Sequence, residues 1–309
     1  MRKKDKTLYW VWKKYRTDRW GEKLKDVGVV SEEDVNGFLR LVKERDKYWF
    51  SGQLGYFVSL VLKYCYSGKE IHLDVDAVNG DISVGEGLDW EGDIYVDGTV
   101  DGEIGYGMER GTVVVKGDVK GGVGWSMKNG VIIVYGDVVG CAGYGMEDGL
   151  VVVNGCVANG AGNSASGGRI IINGDVKGYV GELLDGGEVV INGDVEGDIG
   201  ISMRKGTIVI RGTVAKGNQD VGYDMQGGII YIGGDVEKDV GGDMDEGVII
   251  IKGDVKGEIN ELESKLPLIV VDGKIYGKKW MESFGQGNIV CNGFVYFGDI
   301  PEELMYEEY

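Results

Sequence analysis

The sequence predicts an all-β solenoid, a parallel β-helix with 19-residue coils, plus a small α-containing N-terminal cap region. Three observations carry this expectation. A phrase beginning Gly-Asp-Val opens at Gly117 and again at Gly136, and further copies open at Gly98, Gly155, Gly174, Gly193, Gly212 and Gly234. The step is 19 residues except for 22 between Gly212 and Gly234, and Gly253 opens a degraded ninth copy. Such a period marks stacked supersecondary units. The chain also holds 57 glycines and 2 prolines, which suits corners that need positive φ. A leucine-rich repeat would instead show spaced leucines and an Asn column.

Each coil repeats the same apolar positions. The third residue is Val100, Val119, Val138, Val157, Val176, Val195, Val214 or Val236. Before the mid-coil glycine come Ile104, Val123, Val180, Ile199, Val221 and Val240. A methionine column follows at Met108, Met127, Met146, Met203, Met225 and Met244, with Ala165 and Leu184 as substitutes. Stacked at about 4.8 Å, these positions become ladders that fill the interior. Thioether metal or redox chemistry is the alternative for methionine, and a flexible core filler at a tight corner is the better reading.

The second residue of the copy is Asp118, Asp137, Asp175, Asp194, Asp235 or Asp254. A carboxylate ladder could bind Ca²⁺, but the nine-residue calcium repeat is missing. Aspartate after a corner glycine is expected to cap its own turn's N–H groups.

The last strand of each coil is apolar on both faces. It reads Val113-Val114-Val115, Ile132-Ile133-Val134 and so on to Ile249-Ile250-Ile251. Because strand side chains alternate, the middle residue points outward. Val114, Ile133, Val152, Ile171, Val190, Val209, Tyr231 and Ile250 therefore form an outward apolar stripe about 35 Å long. Strands apolar on both faces are usually covered on both, although β-branched propensity alone also selects Val and Ile. The expected cover is a protein partner, another copy, or this chain's own terminal segments.

The coil Gly-Asp-Val-x-Gly-x-Val-Gly-x-x-Met-x-x-Gly-x-Ile-x-Ile-x-Gly, seen at Gly117–Gly136 and Gly136–Gly155, resembles the GXGXG-type right-handed β-helix. That domain ends the large subunit of glutamate synthase and also forms one of the subunits of formylmethanofuran dehydrogenase. The resemblance spans about Gly80 to Gly253. It implies a non-catalytic scaffold or interface part, such as an accessory subunit of a redox enzyme, and carries over no catalytic residue. The chain departs from the family pattern in an aromatic flank, Tyr106, Trp125 and Tyr144, at a position that is usually small.

Three segments follow in chain order: a basic, aromatic arm and helical cap over 1–75, the β-helix over 76–300, and a short cap over 301–309. Residues 1–25 hold ten Lys/Arg against Asp5, Asp18 and Glu22, a balance of +7 in a chain of net charge −18. Bases interleaved with Tyr9, Trp10, Trp12, Tyr15 and Trp20 can bind single-stranded nucleic acid. A strand or arm docking on the acidic solenoid with its aromatics buried fits the opposite charges better. The negative charge of the coils argues against nucleic acid as a partner.

Ser31 followed by Glu32, Glu33 and Asp34 predicts a helix N-terminus, and Leu54–Tyr66 predicts a second helix. Together these would cover the first coil's open edge. His72, the single histidine, is expected to be structural. The extra residues at Lys216–Asp220 should protrude, Gly273 and Gly293 should open two further turns, and Pro301 should start a helical cap.

No stretch reaches membrane-spanning length, and no signal peptide is expected, because the basic start lacks a following uniform apolar run and a small-residue cleavage site. Four scattered cysteines, Cys65, Cys141, Cys156 and Cys291, suit a reducing cytoplasm and neither zinc nor a disulfide frame. No cofactor, metal or catalytic residue is indicated. A non-catalytic assembly module is the leading expectation. The alternatives are a self-polymerising scaffold similar to bactofilins and a carbohydrate-binding or polysaccharide-active β-helix, in which the aromatic flank would stack on sugars.

Overall fold

Glycine corners and three-residue β-branched runs leave the chain one economical arrangement, parallel coils that hydrogen-bond rung to rung. The computed structural model describes residues 3–14, 17–45, 51–78, 82–215, 217–260, 267–276, 288–291 and 294–296. It is a parallel β-solenoid of about 10 turns with N-terminal helices. The chain divides into two compact units, residues 1–157 and 158–309.

The first unit begins with four helices, α1 (Lys3–Lys14), α2 (Thr17–Leu24), α3 (Glu32–Arg45) and α4 (Ser51–Cys65). α3 starts where the sequence places it. The Ser31 hydroxyl accepts from the Asp34 amide at 3.3 Å, and the Asp34 carboxylate accepts from the Ser31 amide at 2.9 Å, a reciprocal cap. The basic segment is neither a strand nor an arm on the coils. It forms α1 and α2, which pack on α3 and α4. Trp12 stacks on Trp20 at 4.9 Å, and Phe57 meets both rings edge-on at 5.5 and 5.1 Å. Burying these rings is worth more than the long-range attraction of exposed lysines for an acidic surface. Trp10 stays half-exposed, and Tyr15 lies outside the described residues.

Strand β1 (Glu70–Leu73) opens the sheet, and a 3₁₀ turn follows at Val75–Val78. Then come β2 (Asp89–Val96), β3 (Arg110–Val115), β4 (Val131–Val134) and β5 (Leu150–Val153), each parallel to the one before. The outer edge of β1 is blocked by α3. Glu32 accepts from the His72 amide at 3.0 Å, and the Asn36 amide group bridges the His72 carbonyl and the Asp74 N–H at 2.9 and 3.0 Å. Side chains thus satisfy an edge that would otherwise template pairing. α4 packs against β2. It can approach because Gly55 has no side chain; a Cβ there would lie 1.9 Å from the Ser83 carbonyl oxygen.

The second unit continues with β6 (Arg169–Ile172), β7 (Val176–Lys177), β8 (Asp185–Ile191), β9 (Val195–Glu196), β10 (Lys205–Ile210), β11 (Val214–Ala215), β12 (Gln226–Ile232), β13 (Glu246–Ile251), β14 (Leu268–Val271), β15 (Asn288–Cys291) and β16 (Phe294–Tyr296). β6, β8, β10, β12, β13, β14 and β15 form one parallel run. β7, β9 and β11 form a second, three-stranded face. The run ends differently from the expectation. β16 turns back antiparallel on β15, so Phe294-Val-Tyr is a hairpin arm and not a further coil. The cap expected at 301–309 lies outside the described residues.

Inside the coils the methionines Met108, Met127, Met146, Met203, Met225 and Met244 are fully buried, as are Leu184 and, within 1%, Ala165. A tight turn tucks each one inward. The Met127 amide donates to the Gly124 carbonyl at 3.3 Å across Trp125 and Ser126. Gly105 shows why the mid-coil residue is glycine: its φ is +68°, and a Cβ would sit 2.3 Å from Ile132 Cδ1.

The aspartate column does not cap its own turns. Asp118 accepts from the Asp137 amide at 2.9 Å, Asp137 from the Cys156 amide at 2.7 Å, Asp175 from the Asp194 amide at 2.8 Å, and Asp194 from the Thr213 amide at 2.7 Å. Each carboxylate reaches the equivalent N–H of the next coil. It crosses the opening glycine to do so, since a Cβ at Gly136 would lie 2.2 Å from Asp118 Oδ1. The Gly-Asp pair is therefore one device, in which the glycine clears the path of the carboxylate.

The longer coil, 212–233, also has its own fastening. Gly217–Gln219 lie exposed, as a protruding insert should, while Lys216 lies outside the described residues. The Asn218 and Gln219 amides both donate to Asp198 at 2.8 Å. The buried Lys238 ammonium donates to the same carboxylate at 2.9 Å and to the Gly197 carbonyl at 3.0 Å. Burial works to raise the Asp198 pKa, but the Gln219 amide, Lys238 and the Asn218 amide together hold it below its ordinary value. Burial lowers that of Lys238. A buried pair of this kind fixes geometry more than it adds stability.

Candidate functional site: an apolar sheet face and an aromatic ridge

The outward stripe is in register within each unit. In the first, Tyr95 pairs with Val114, Val114 with Ile133, and Ile133 with Val152. In the second, Ile171, Val190, Val209, Tyr231, Ile250, Val270 and Val290 follow one another. Their neighbours along the strand, such as Val113 and Val115, are fully buried. Val190 is buried as well, and the rest of the column, Val114, Ile133, Val152, Ile171, Val209, Tyr231 and Ile250, is half-buried. Tyr95, Val270 and Val290 join it beyond the positions expected from the sequence.

A second outward column lies two residues earlier in each strand. It is Thr112, Val131 and Leu150 in the first unit, and Arg169, Glu188, Thr207, Ile229, Val248 and Leu268 in the second. The apolar face is thus two residues wide at Val131–Leu150 and at Ile229–Leu268. In the second unit this column opens with the polar Arg169, Glu188 and Thr207, of which Arg169 and Glu188 pair at 2.8 Å.

The aromatic flank comes together in the first unit. Trp125 and Tyr144 lie 5.5 Å apart with a 46° tilt, and Tyr106 and Tyr144 are 44% and 45% exposed. Backbone bonds hold them on consecutive rungs: Gly107 donates to the Trp125 carbonyl and Ser126 to the Tyr144 carbonyl, both at 2.8 Å. A fourth member of this column was not expected from the sequence. Gly87 donates to the Tyr106 carbonyl at 2.7 Å, which puts Glu86 one rung below Tyr106. The signal was Gly85-Glu-Gly87, the counterpart of Gly105-Tyr-Gly107. Burial, and after it the nearby Glu103 carboxylate, push the Glu86 carboxyl up to about 7. Burial raises Glu103 as well.

Other candidate residues have partners within the fold. His72 is exposed and stacks on Tyr95 at 5.0 Å, and α3 holds its backbone. An acidic groove of about 830 Å³ is lined by Asp76, Asp101, Asp118 and Asp137, but Asp118 and Asp137 already accept backbone N–H groups. Among the described residues no cluster of three or more His, Cys, Asp or Glu is arranged to hold a metal ion. Cys65, Cys141 and Cys156 are thiols and not disulfides, and burial pushes Cys65 up to about 11. No described helix is long and apolar enough to cross a membrane. No protein-family model matches the chain, and no curated protein matches it.

Proposed function

We propose that the chain is a non-catalytic assembly module whose outward sheet face docks on protein, either a partner subunit or a second copy. The observation that carries this is the in-register apolar column that β-pairing holds flat on each unit. Covering a half-exposed Val or Ile is worth about 1 kcal/mol per side chain, so many rungs covered together are needed to offset the cost of association. The coil period and Met column support kinship with GXGXG β-helices and, with it, a place beside a redox enzyme. Thiols in place of disulfides fit a reducing compartment such as the cytoplasm. End-to-end polymerisation is the weaker reading, because α3 side chains occupy the edge of β1 that stacking would need.

The test is the solution mass of the chain purified from its native source, by light scattering, with and without Ile133→Lys and Ile250→Lys. The expected result is a complex heavier than one chain that both substitutions dissolve while the unfolding temperature holds. A single-chain mass throughout would overturn the reading.

A further inference from the structure

The pairing of charges along the coils breaks down at the foot of the aromatic ridge. Elsewhere in the first unit, cations meet acids one coil away: Lys116 with Asp97 at 2.8 Å, Lys120 with Asp101 at 2.8 Å, and Lys128 with Glu109 at 3.1 Å. Glu86 and Glu103 have no cationic partner among the described residues. Each is half-buried, and the charge of Glu103 acts on Glu86. Backbone pairing places Tyr106 one rung from Glu86, and the Tyr56 ring of α4 lies 3.1 Å from where a Cβ on the adjoining Gly87 would be. Neither is a cation. Two half-buried carboxylates without a counter-charge are costly for the fold alone, and an external cation would relieve that cost.

The ridge beside them is shaped to receive rings. Gly122 is bare, so the Trp125 indole lies over it; a Cβ there would be 2.3 Å from Trp125 Nε1. That buried indole N–H has no hydrogen-bond partner among the described residues. Tyr106 and Tyr144 expose their rings on either side, at a rung spacing of about 4.8 Å. The backbone along the ridge is already used in coil-to-coil bonds. It has no free edge for an extended peptide, whose affinity would come from main-chain pairing.

From this juxtaposition we propose that Glu86, Glu103, Tyr106, Trp125 and Tyr144 form a binding site for an oligosaccharide that carries free amino groups. The carboxylates take an ammonium, and the aromatic rungs stack on the apolar faces of successive sugar rings, with cation–π attraction adding to both. Binding here is independent of the apolar sheet face.

Titration calorimetry of the full chain with a β-linked glucosamine tetramer tests the site, with its N-acetylated counterpart and tetralysine as the other arms. Binding of the glucosamine tetramer is expected, at least ten-fold tighter than the N-acetylated chain and tighter than tetralysine. The Glu86→Gln/Glu103→Gln double variant should lose at least ten-fold, and so should Trp125→Ala, while Trp125→Tyr recovers part of the loss. Circular dichroism confirms that each variant folds. No heat with the glucosamine tetramer at millimolar concentration overturns the proposal. Equal affinity for the N-acetylated chain, or tighter binding of tetralysine, overturns it too.

Discussion

The helices and the coils build their interiors in opposite ways. In α1–α4 four aromatic rings, Trp12, Trp20, Phe38 and Phe57, converge from four separate helices on one point. In the coils each buried residue meets mainly its counterpart a rung above and a rung below, through parallel register and repeated amide-to-carbonyl bonds. The first design concentrates stability in a few side chains. The second spreads it over nearest-neighbour interfaces. One consequence is legibility: repetition is visible in a sequence, and convergence is not.

Removing one ring from the helical cluster should show the contrast most strongly. Phe57→Ala deletes the ring that touches Trp12, Trp20 and Phe38 at 5.5, 5.1 and 5.1 Å, a loss of about 3–5 kcal/mol. Hydrogen exchange should then speed up across all four helices together. Met127→Ala empties one corner of one coil, and its faster exchange should be confined to β3, β4 and β5. If Met127→Ala instead loosens the helices as much as Phe57→Ala does, the two interiors are a single cooperative core and the contrast is broken.

The junction of the two designs gives a smaller, pH-dependent effect. Glu86 sits on the coil that α4 reaches through Tyr56, and its carboxyl is pushed up from 4.5 to about 7. Between those values the folded chain keeps a proton that the unfolded chain has released, so this group makes stability fall as pH rises through the window. Solvent screening at a half-buried site reduces the loss to about 1–2 kcal/mol. Glu86→Gln should therefore raise the unfolding temperature relative to the native chain at pH 8 and leave it nearly unchanged at pH 4. An equal gain at both values would show that the charge of Glu86 is not what costs stability.

The coils were legible in the sequence almost residue by residue, because every rung restates the same steric demands. The inward Met column, the outward stripe and the Ser31 cap followed from period, alternation and residue type alone. The aspartate bonds did not. Gly-Asp at a corner satisfies an own-turn cap and a next-rung cap equally well as a string, and only the path across Gly136 decides between them. The basic segment misled for a different reason. Lysines dominate residues 3–25, but Trp12 and Trp20 decide the fold there, and their partners Phe38 and Phe57 lie far along the chain. Glu86 escaped notice because its coil keeps Gly-x-Gly yet precedes the first Gly-Asp/Thr-Val phrase.

Even the regular coils carry one residue whose backbone conflicts with its type. The position before the Met column is left-handed in each of these coils, with φ +60° at Gly107 and Gly145, +49° at Ser126 and Ser202, and +52° at Asp224 and Asp243. Glycine fits there, aspartate tolerates it, and serine can reach the next coil, as the Ser202 hydroxyl does by donating to Asp224 at 2.6 Å. Leu183 holds φ +55° with none of these advantages, and it is 38% exposed while Leu184 fills the corner. Leu183→Gly relieves about 1–2 kcal/mol of strain and gives back part of it as chain entropy. The net gain should be about 0.5–1 kcal/mol, a rise of about 2 °C in the unfolding temperature. A loss of stability in Leu183→Gly would mean that the exposed leucine is kept for its contacts, and that turn geometry is not what sets the residue choice at this rung.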